Sequence, residues 1–169
     1  DVLFKDCKAS AECDAAYPDL EATFYGLIER LNAEPRTLEI TDPNTLRLLT
    51  VKMDGDTFAS TIFISLYSTE LIPSIPKVIY QVQIGDNQFF NLLLPALLLQ
   101  LKQISYGMNA AVQCNEELTF DSVETMQQIL DQLRPELRGF ARRNGSDPAQ
   151  LEVCAAFGAG EPQSVENEA

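Results

Sequence analysis

The 169-residue sequence contains neither histidine nor tryptophan. Without an imidazole, the chain lacks the side chain that most often serves as general base, proton shuttle or metal ligand near neutral pH. We therefore expect no metal site and no cofactor, and we assign no catalytic residue to this chain.

Basic residues are also scarce, with 12 Lys and Arg against 25 Asp and Glu and a formal net charge of −13. The acidic residues are spread along the chain rather than gathered in one block. Such a surface repels phosphate backbones and anionic membranes. The charge balance therefore predicts that the chain has no nucleic-acid partner.

A long hydrophobic run is missing as well. The most apolar stretch, residues 89–101, is interrupted by Asn91, Pro95 and Gln100. A helix that crosses a bilayer needs roughly 20 predominantly apolar residues. We therefore expect no membrane span.

Apolar residues nevertheless make up 46% of the chain, which is enough for a buried core. Their spacing predicts a mainly α fold with a small β-hairpin at about residues 36–53. The segment 108–114 fits either a strand or an extended crossing. We expect one helical domain over residues 1–157 and a linker rich in Gly and Glu over 158–169. Helices are expected over 18–33, 56–67, 74–84, 86–101 and 121–143 with a break at Pro135, and from Asp147 onward.

The helix expected over 86–101 has leucines around most of its circumference. A helix of this kind either lies at the centre of a bundle or is half-exposed until another domain covers it, and Pro95 should kink it. The sequence leaves both interpretations open.

Four cysteines allow three disulfide connectivities. We favour Cys7 with Cys13, which closes a short loop over a turn of helix, and Cys114 with Cys154. The alternatives are a metal site, for which the spacing is poor, and four buried thiols in a cytosolic protein. Disulfides would indicate an exported protein.

Two short motifs could carry chemistry. The run from Gln103 to Gly107 resembles the second half of a G-x-S-x-G nucleophile elbow, but it lacks the first Gly, and Ser105 has no histidine to deprotonate it. Glu116 and Glu117 adjoin Cys114, and a carboxylate held there could bind a cation or a substrate amine. The alternative for this pair is a solvated position near a helix start.

An ordered series of segments extends over nearly the whole chain and resembles the middle region of exported bacterial α/β-hydrolases of the tripeptidyl aminopeptidase and proline iminopeptidase type. The segments are Cys7 with Cys13-Asp14-Ala15-Ala16-Tyr17-Pro18-Asp19-Leu20-Glu21, then Leu31-Asn32-Ala33-Glu34-Pro35, Leu66-Tyr67-Ser68-Thr69-Glu70-Leu71-Ile72-Pro73, Tyr106-Gly107-Met108 and Val112-Gln113-Cys114-Asn115-Glu116-Glu117.

This resemblance implies a lid or cap domain, inserted into a serine peptidase whose Ser, Asp and His lie in other segments of the polypeptide. The chain would not be catalytic by itself. Its partners would be the missing hydrolase core and, through that core, short peptides with a free N-terminus. Glu116 or Glu117 would bind the substrate amine, and the protein would be secreted or periplasmic. The competing hypothesis is a free-standing exported helical domain that binds a partner.

Overall fold

A computed structural model describes residues 2–101 and 105–158 of the chain. The described residues form two compact units, divided between Leu99 and Gln100. Most of the predicted linker, residues 159–169, lies outside the described residues, and Gly158 ends the last helix in a left-handed conformation with φ of 76°. The domain boundaries predicted at 1–157 stay a prediction.

The first unit is mainly helical and contains one β-hairpin, as the apolar spacing predicts. Its elements in chain order are α1 (Val2–Ala9), α2 (Ala11–Ala16), α3 (Leu20–Ala33), β1 (Arg36–Thr41), β2 (Leu48–Met53), α4 (Gly55–Ser65), a 3₁₀ turn at Ile72–Ser74, α5 (Ile75–Gln83) and most of α6 (Gln88–Leu101).

Helix α3 is the centre of the first unit, because α1, α4 and α5 all pack against it. Its buried stripe includes Leu27, Ile28 and Leu31, at the spacing that one helix face requires. Helix α4 adds Phe58 and α5 adds Ile79, both fully buried. These residues form the core that positions the surface elements α1 and α2.

The hairpin is antiparallel and its register joins Arg36 to Met53 and Thr41 to Leu48. One face points inward and is buried at Leu38 and Ile40, whereas the opposite face is exposed along both strands. The two-residue alternation of β-structure produces this division. The predicted hairpin with one solvent-facing side is therefore confirmed.

The sequence predicts Asp56 as the cap of this helix, but the cap lies two residues earlier and α4 begins at Gly55. Asp54 is the N-cap residue, and its Oδ1 accepts hydrogen bonds from the backbone N–H of Thr57 at 2.8 Å and from its hydroxyl at 2.7 Å. Gly55 follows because a Cβ there would clash with the carbonyl of Ile28 on α3. The close approach of two helix backbones thus determines where α4 starts.

The second unit contains helices and short helical turns and no strand among its described residues. Its elements are α7 (Tyr106–Val112), a wide helical turn at Gln113–Glu117, a 3₁₀ turn at Leu118–Phe120, α8 (Val123–Gln132), α9 (Pro135–Ala141), a further turn at Arg142–Ser146 and α10 (Ala149–Phe157).

The segment 108–114, which periodicity left undecided, is therefore helical rather than extended. The break predicted at Pro135 is present and separates α8 from α9. A small apolar cluster holds the unit together and consists of Cys114, Leu118, Met126 and Cys154, with Leu151 packed against it.

Both favoured disulfides are confirmed. Cys7 is bonded to Cys13, with Cα atoms 5.0 Å apart, and Cys114 is bonded to Cys154, with Cα atoms 5.2 Å apart. Each bond lies within one unit, so each unit carries its own covalent cross-link.

No helix among residues 2–101 and 105–158 has both the length and the apolar content needed to cross a membrane. Helix α6, the most apolar, has 14 residues and contains Pro95. The prediction that the chain has no membrane span agrees with this finding.

Candidate functional site

Glu116 and Glu117 lie on the wide turn that follows α7. Cys114, in the same turn, is only 2% exposed, and its disulfide to Cys154 ties the turn to α10. Asn115 adds a second restraint, because its side-chain amide donates a 2.6 Å hydrogen bond to the carbonyl of Ala111. The two carboxylates are therefore carried on a restrained backbone.

Both glutamates are exposed to solvent. In this setting the attraction for a cation is weak, since water screens exposed charges. The same pair would bind an ammonium group more strongly if another surface closed over it and excluded water. Their predicted role as amine ligands stays a prediction.

Ser105, the serine of the partial elbow motif, caps a helix. Its hydroxyl oxygen accepts a 3.5 Å hydrogen bond from the backbone N–H of Met108 and begins α7. Gln103 and Ile104, the preceding residues of that motif, lie outside the described residues. Its role as the N-cap of α7 explains why a serine occupies position 105, without any catalytic function.

A groove in the first unit is a candidate site that no sequence pattern indicates. It has a volume of about 690 Å³ and is open to solvent. One wall is formed by α1, α2 and the Cys7–Cys13 disulfide, and the other by the end of α4 and the segment 72–76. The apolar side chains that line it are Val2, Leu3, Leu66, Ile72, Pro73 and Pro76.

Aromatic contacts hold the α1–α2 wall in place. The ring of Phe4 lies 5.4 Å from that of Phe24 on α3, measured between centroids. At the other end, the rings of Tyr17 and Tyr80 are 5.3 Å apart, and the Tyr80 hydroxyl donates a hydrogen bond to the carbonyl of Pro18. The groove is thus fixed to the core at both ends of its helical wall.

Two arginines donate hydrogen bonds to carbonyl groups at the C-terminal end of α5, and this structural role explains their positions. Arg36 Nη1 donates hydrogen bonds to the carbonyl of Val82 at 2.7 Å and to Asn87 Oδ1 at 3.1 Å, and Arg30 Nη2 donates to the carbonyl of Gln83 at 3.3 Å. Burial, and then the nearby charge of Arg30, lower the pKa of Arg36 from its ordinary value. Cations at this position stabilise the helix C-terminus.

One carboxylate of the second unit is held more tightly than Glu116 and Glu117. Glu136 Oε1 accepts a hydrogen bond from Arg134 at 3.2 Å, while the Oε2 atom is buried and has no hydrogen-bond partner among the described residues. The backbone N–H of Glu136 at the start of α9, followed by Arg134, lowers the pKa of this carboxyl. The arrangement stabilises the helix start.

No group of three or more His, Cys, Asp or Glu side chains in the described ranges is placed to hold a metal ion. All four cysteines are bonded in disulfides, so their thiolates are not available as ligands. The glutamate turn and the apolar groove are candidate places for recognition in the described part of the chain.

No family model, no curated protein and no solved structure matches this chain. The described residues are mainly helical and form two units, each with one disulfide, and the described hairpin belongs to the first unit.

Proposed function

We propose that this chain is the substrate-gating lid of a secreted or periplasmic α/β-hydrolase-fold serine peptidase of the aminopeptidase type. Its catalytic groups would be supplied by the hydrolase core in other segments of the same polypeptide. The observation that carries the proposal is the exposed Glu116–Glu117 pair on a turn fixed by the Cys114–Cys154 disulfide.

The pair has the chemistry that a free peptide N-terminus requires. A carboxylate beside a substrate ammonium in a closed cleft gives a stronger attraction than it does in water. Because closure also removes water from both charges, the gain depends on direct hydrogen bonding between them. A net charge of −13 would further raise the local concentration of cationic amines.

Helix α6 supports the lid proposal on its apolar side. Most of its described side chains are only partly buried, and Leu92 is 80% exposed. Partly exposed apolar side chains of this kind fit a face that packs on another domain. In a lid, this face would form an apolar wall of the substrate cleft and limit the length of the peptide.

The two disulfides are compatible with an extracellular or periplasmic location, since disulfides persist in oxidising compartments. The alternative function, a free-standing exported helical binding domain, is favoured by the same exposed face of α6 if its partner is a separate protein.

The test uses the polypeptide that carries this chain in its native gene. Glu116→Gln and Glu117→Gln are compared with Glu152→Gln, an exposed glutamate on α10. We expect at least one of the first two to lower by about tenfold, roughly 1.4 kcal/mol, the preference in kcat/KM for peptides with a free N-terminus over acetylated ones. Glu152→Gln should leave it unchanged, and an unchanged preference in both test variants would remove the amine site.

The chain by itself provides a second test. It should not cleave chromogenic aminoacyl or tripeptidyl substrates, because the nucleophile and its base belong to the core. Turnover by the purified chain that a serine-directed reagent blocks would overturn the assignment.

A further inference from the structure

We propose that the groove of the first unit binds a small ligand that combines an apolar body with one primary ammonium group, and that Asp6 contacts this ammonium. The site lies in a different unit from Glu116 and Glu117. It is therefore independent of the lid proposal.

The size and the walls of the groove define the body of the ligand. Its volume of about 690 Å³ falls within the range of sites that hold small organic molecules. Six of the ten lining residues are leucine, isoleucine, valine or proline and two more form the disulfide, so the favourable contribution comes mainly from the burial of apolar surface.

The polar groups of the groove define the head of the ligand. Asp6 is the only charged residue among its described lining residues, and the other polar side chain is Ser10. Leu3, Asp6 and Ser10 follow one another at three- and four-residue spacing on one side of α1 and its C-terminal end, so Asp6 lies on the side of α1 that lines the groove. Asp6 is exposed and forms no side-chain hydrogen bond or ion pair with residues 2–101 or 105–158.

Charge complementarity selects a cation over an anion. A carboxylate at the edge of an apolar groove attracts an ammonium group and repels a carboxylate or phosphate. The overall charge of −13 acts in the same direction at longer range. A fatty acid of the same length would therefore bind more weakly than the amine, although its apolar body would fit.

The groove is also preformed. The Cys7–Cys13 disulfide joins α1 to α2 within the wall, and Cys7 is only 5% exposed. A wall that is already fixed loses little conformational entropy when a ligand binds. Breaking this disulfide should therefore weaken binding even where α3, α4 and α5 remain folded.

The experiment is an NMR titration of the whole ¹⁵N-labelled chain with n-octylammonium, n-octanol and octanoate. We expect saturable shifts at the amides of Leu3, Asp6, Ser10 and Ile72 with octylammonium and a Kd on the order of 1 mM, which burial of a few methylene groups would give. Octanol should bind about threefold more weakly, as expected for the loss of one exposed charge contact. Octanoate should bind about tenfold more weakly than octylammonium, because the attraction is replaced by a repulsion of similar size.

Variants separate the charge from the shape. Asp6→Asn should weaken octylammonium binding about threefold and leave octanol binding unchanged. Asp14→Asn is the matched control, because Asp14 is an exposed aspartate on α2 that does not line the groove. Leu66→Trp should abolish binding of both ligands by filling the groove.

Three results would overturn the proposal. They are the absence of saturable shifts at the groove, equal affinity for octylammonium and octanoate, and an equal effect of Asp6→Asn and Asp14→Asn. Glu116→Gln serves to distinguish the two sites, since it should leave octylammonium binding in the groove unchanged whether or not the lid proposal holds.

Discussion

Removal of the Cys114–Cys154 disulfide should destabilise its unit far more than removal of Cys7–Cys13 destabilises the other. The first bond joins residues 40 positions apart and the second joins residues six positions apart. Loop-closure entropy then gives a loss of about 4 kcal/mol for the long loop and about 2 kcal/mol for the short one.

Packing increases this difference. Cys114 and Cys154 form half of the small apolar cluster of the second unit, together with Leu118 and Met126. Replacement of both cysteines by alanine therefore removes sulfur atoms from the middle of that cluster as well as the cross-link. The core of the first unit, centred on α3, is not built on its disulfide in this way.

The assay is urea unfolding of C114A/C154A and C7A/C13A, followed by resolved amide NMR signals from each unit. We expect signals of α8 and α10 to be lost at much lower urea in C114A/C154A than in the parent chain. In C7A/C13A, the urea concentration at which the signals of α3 are lost should fall by a smaller amount. A larger loss of stability from the short loop than from the long one would refute the reasoning.

Three further predictions concern stability. Gly55→Ala should destabilise the first unit by about 2 kcal/mol or more, because the added Cβ meets the carbonyl of Ile28. Gly26→Ala on α3 should instead stabilise the unit by about 0.5–1 kcal/mol, because a Cβ added there has nothing within 4 Å. Chemical unfolding measures both changes. Arg36→Ala should cost about 1–2 kcal/mol in the same assay through loss of hydrogen bonds at the end of α5, and an unchanged midpoint would contradict this. The pKa of Glu136 in the folded chain lies below its ordinary value of 4.5. Its contribution to the free energy of unfolding is therefore present above about pH 4.5 and is lost as the pH falls through the lower folded pKa. Glu136→Gln should make the free energy of unfolding depend less steeply on pH in the acid range, and an unaltered slope would contradict this.

Much of the helical architecture could be predicted from local signals. The apolar stripe of α3 has the spacing of a helix buried on one side, and the structure buries that stripe. Helix α5 lies within the predicted range 74–84, because Pro76 suits the first turn of a helix and Gly85, with a φ of 94°, suits the position beyond its end. These residues act through their own backbone preferences, which tertiary contacts did not override.

Other features depend on contacts that no local pattern contains. The choice of Asp54 over Asp56 as the cap of α4 depends on how closely Gly55 approaches α3. The helix over 106–112 leads into a turn whose one buried residue, Cys114, is bonded to α10 some 40 positions away. The apolar residues of this short helix therefore do not form the regular buried stripe from which a helix is predicted.

The groove is the clearest case of a site hidden from the sequence. Its walls come from residues 2–13 and 66–76, which are distant in the chain. Pro73 and Pro76 predict only where a helix is interrupted or begins, and nothing local shows that they face α1. The glutamate pair, whose role stays a prediction, could be selected from the sequence because it lies near a cysteine, and the structure shows that this cysteine's disulfide restrains the backbone there.

The coding sequence on either side of this chain tests the lid assignment most directly. The account predicts a G-x-S-x-G motif upstream and an aspartate followed by a histidine downstream, within one open reading frame. A native product that begins and ends at these residues, apart from an export signal, would contradict it.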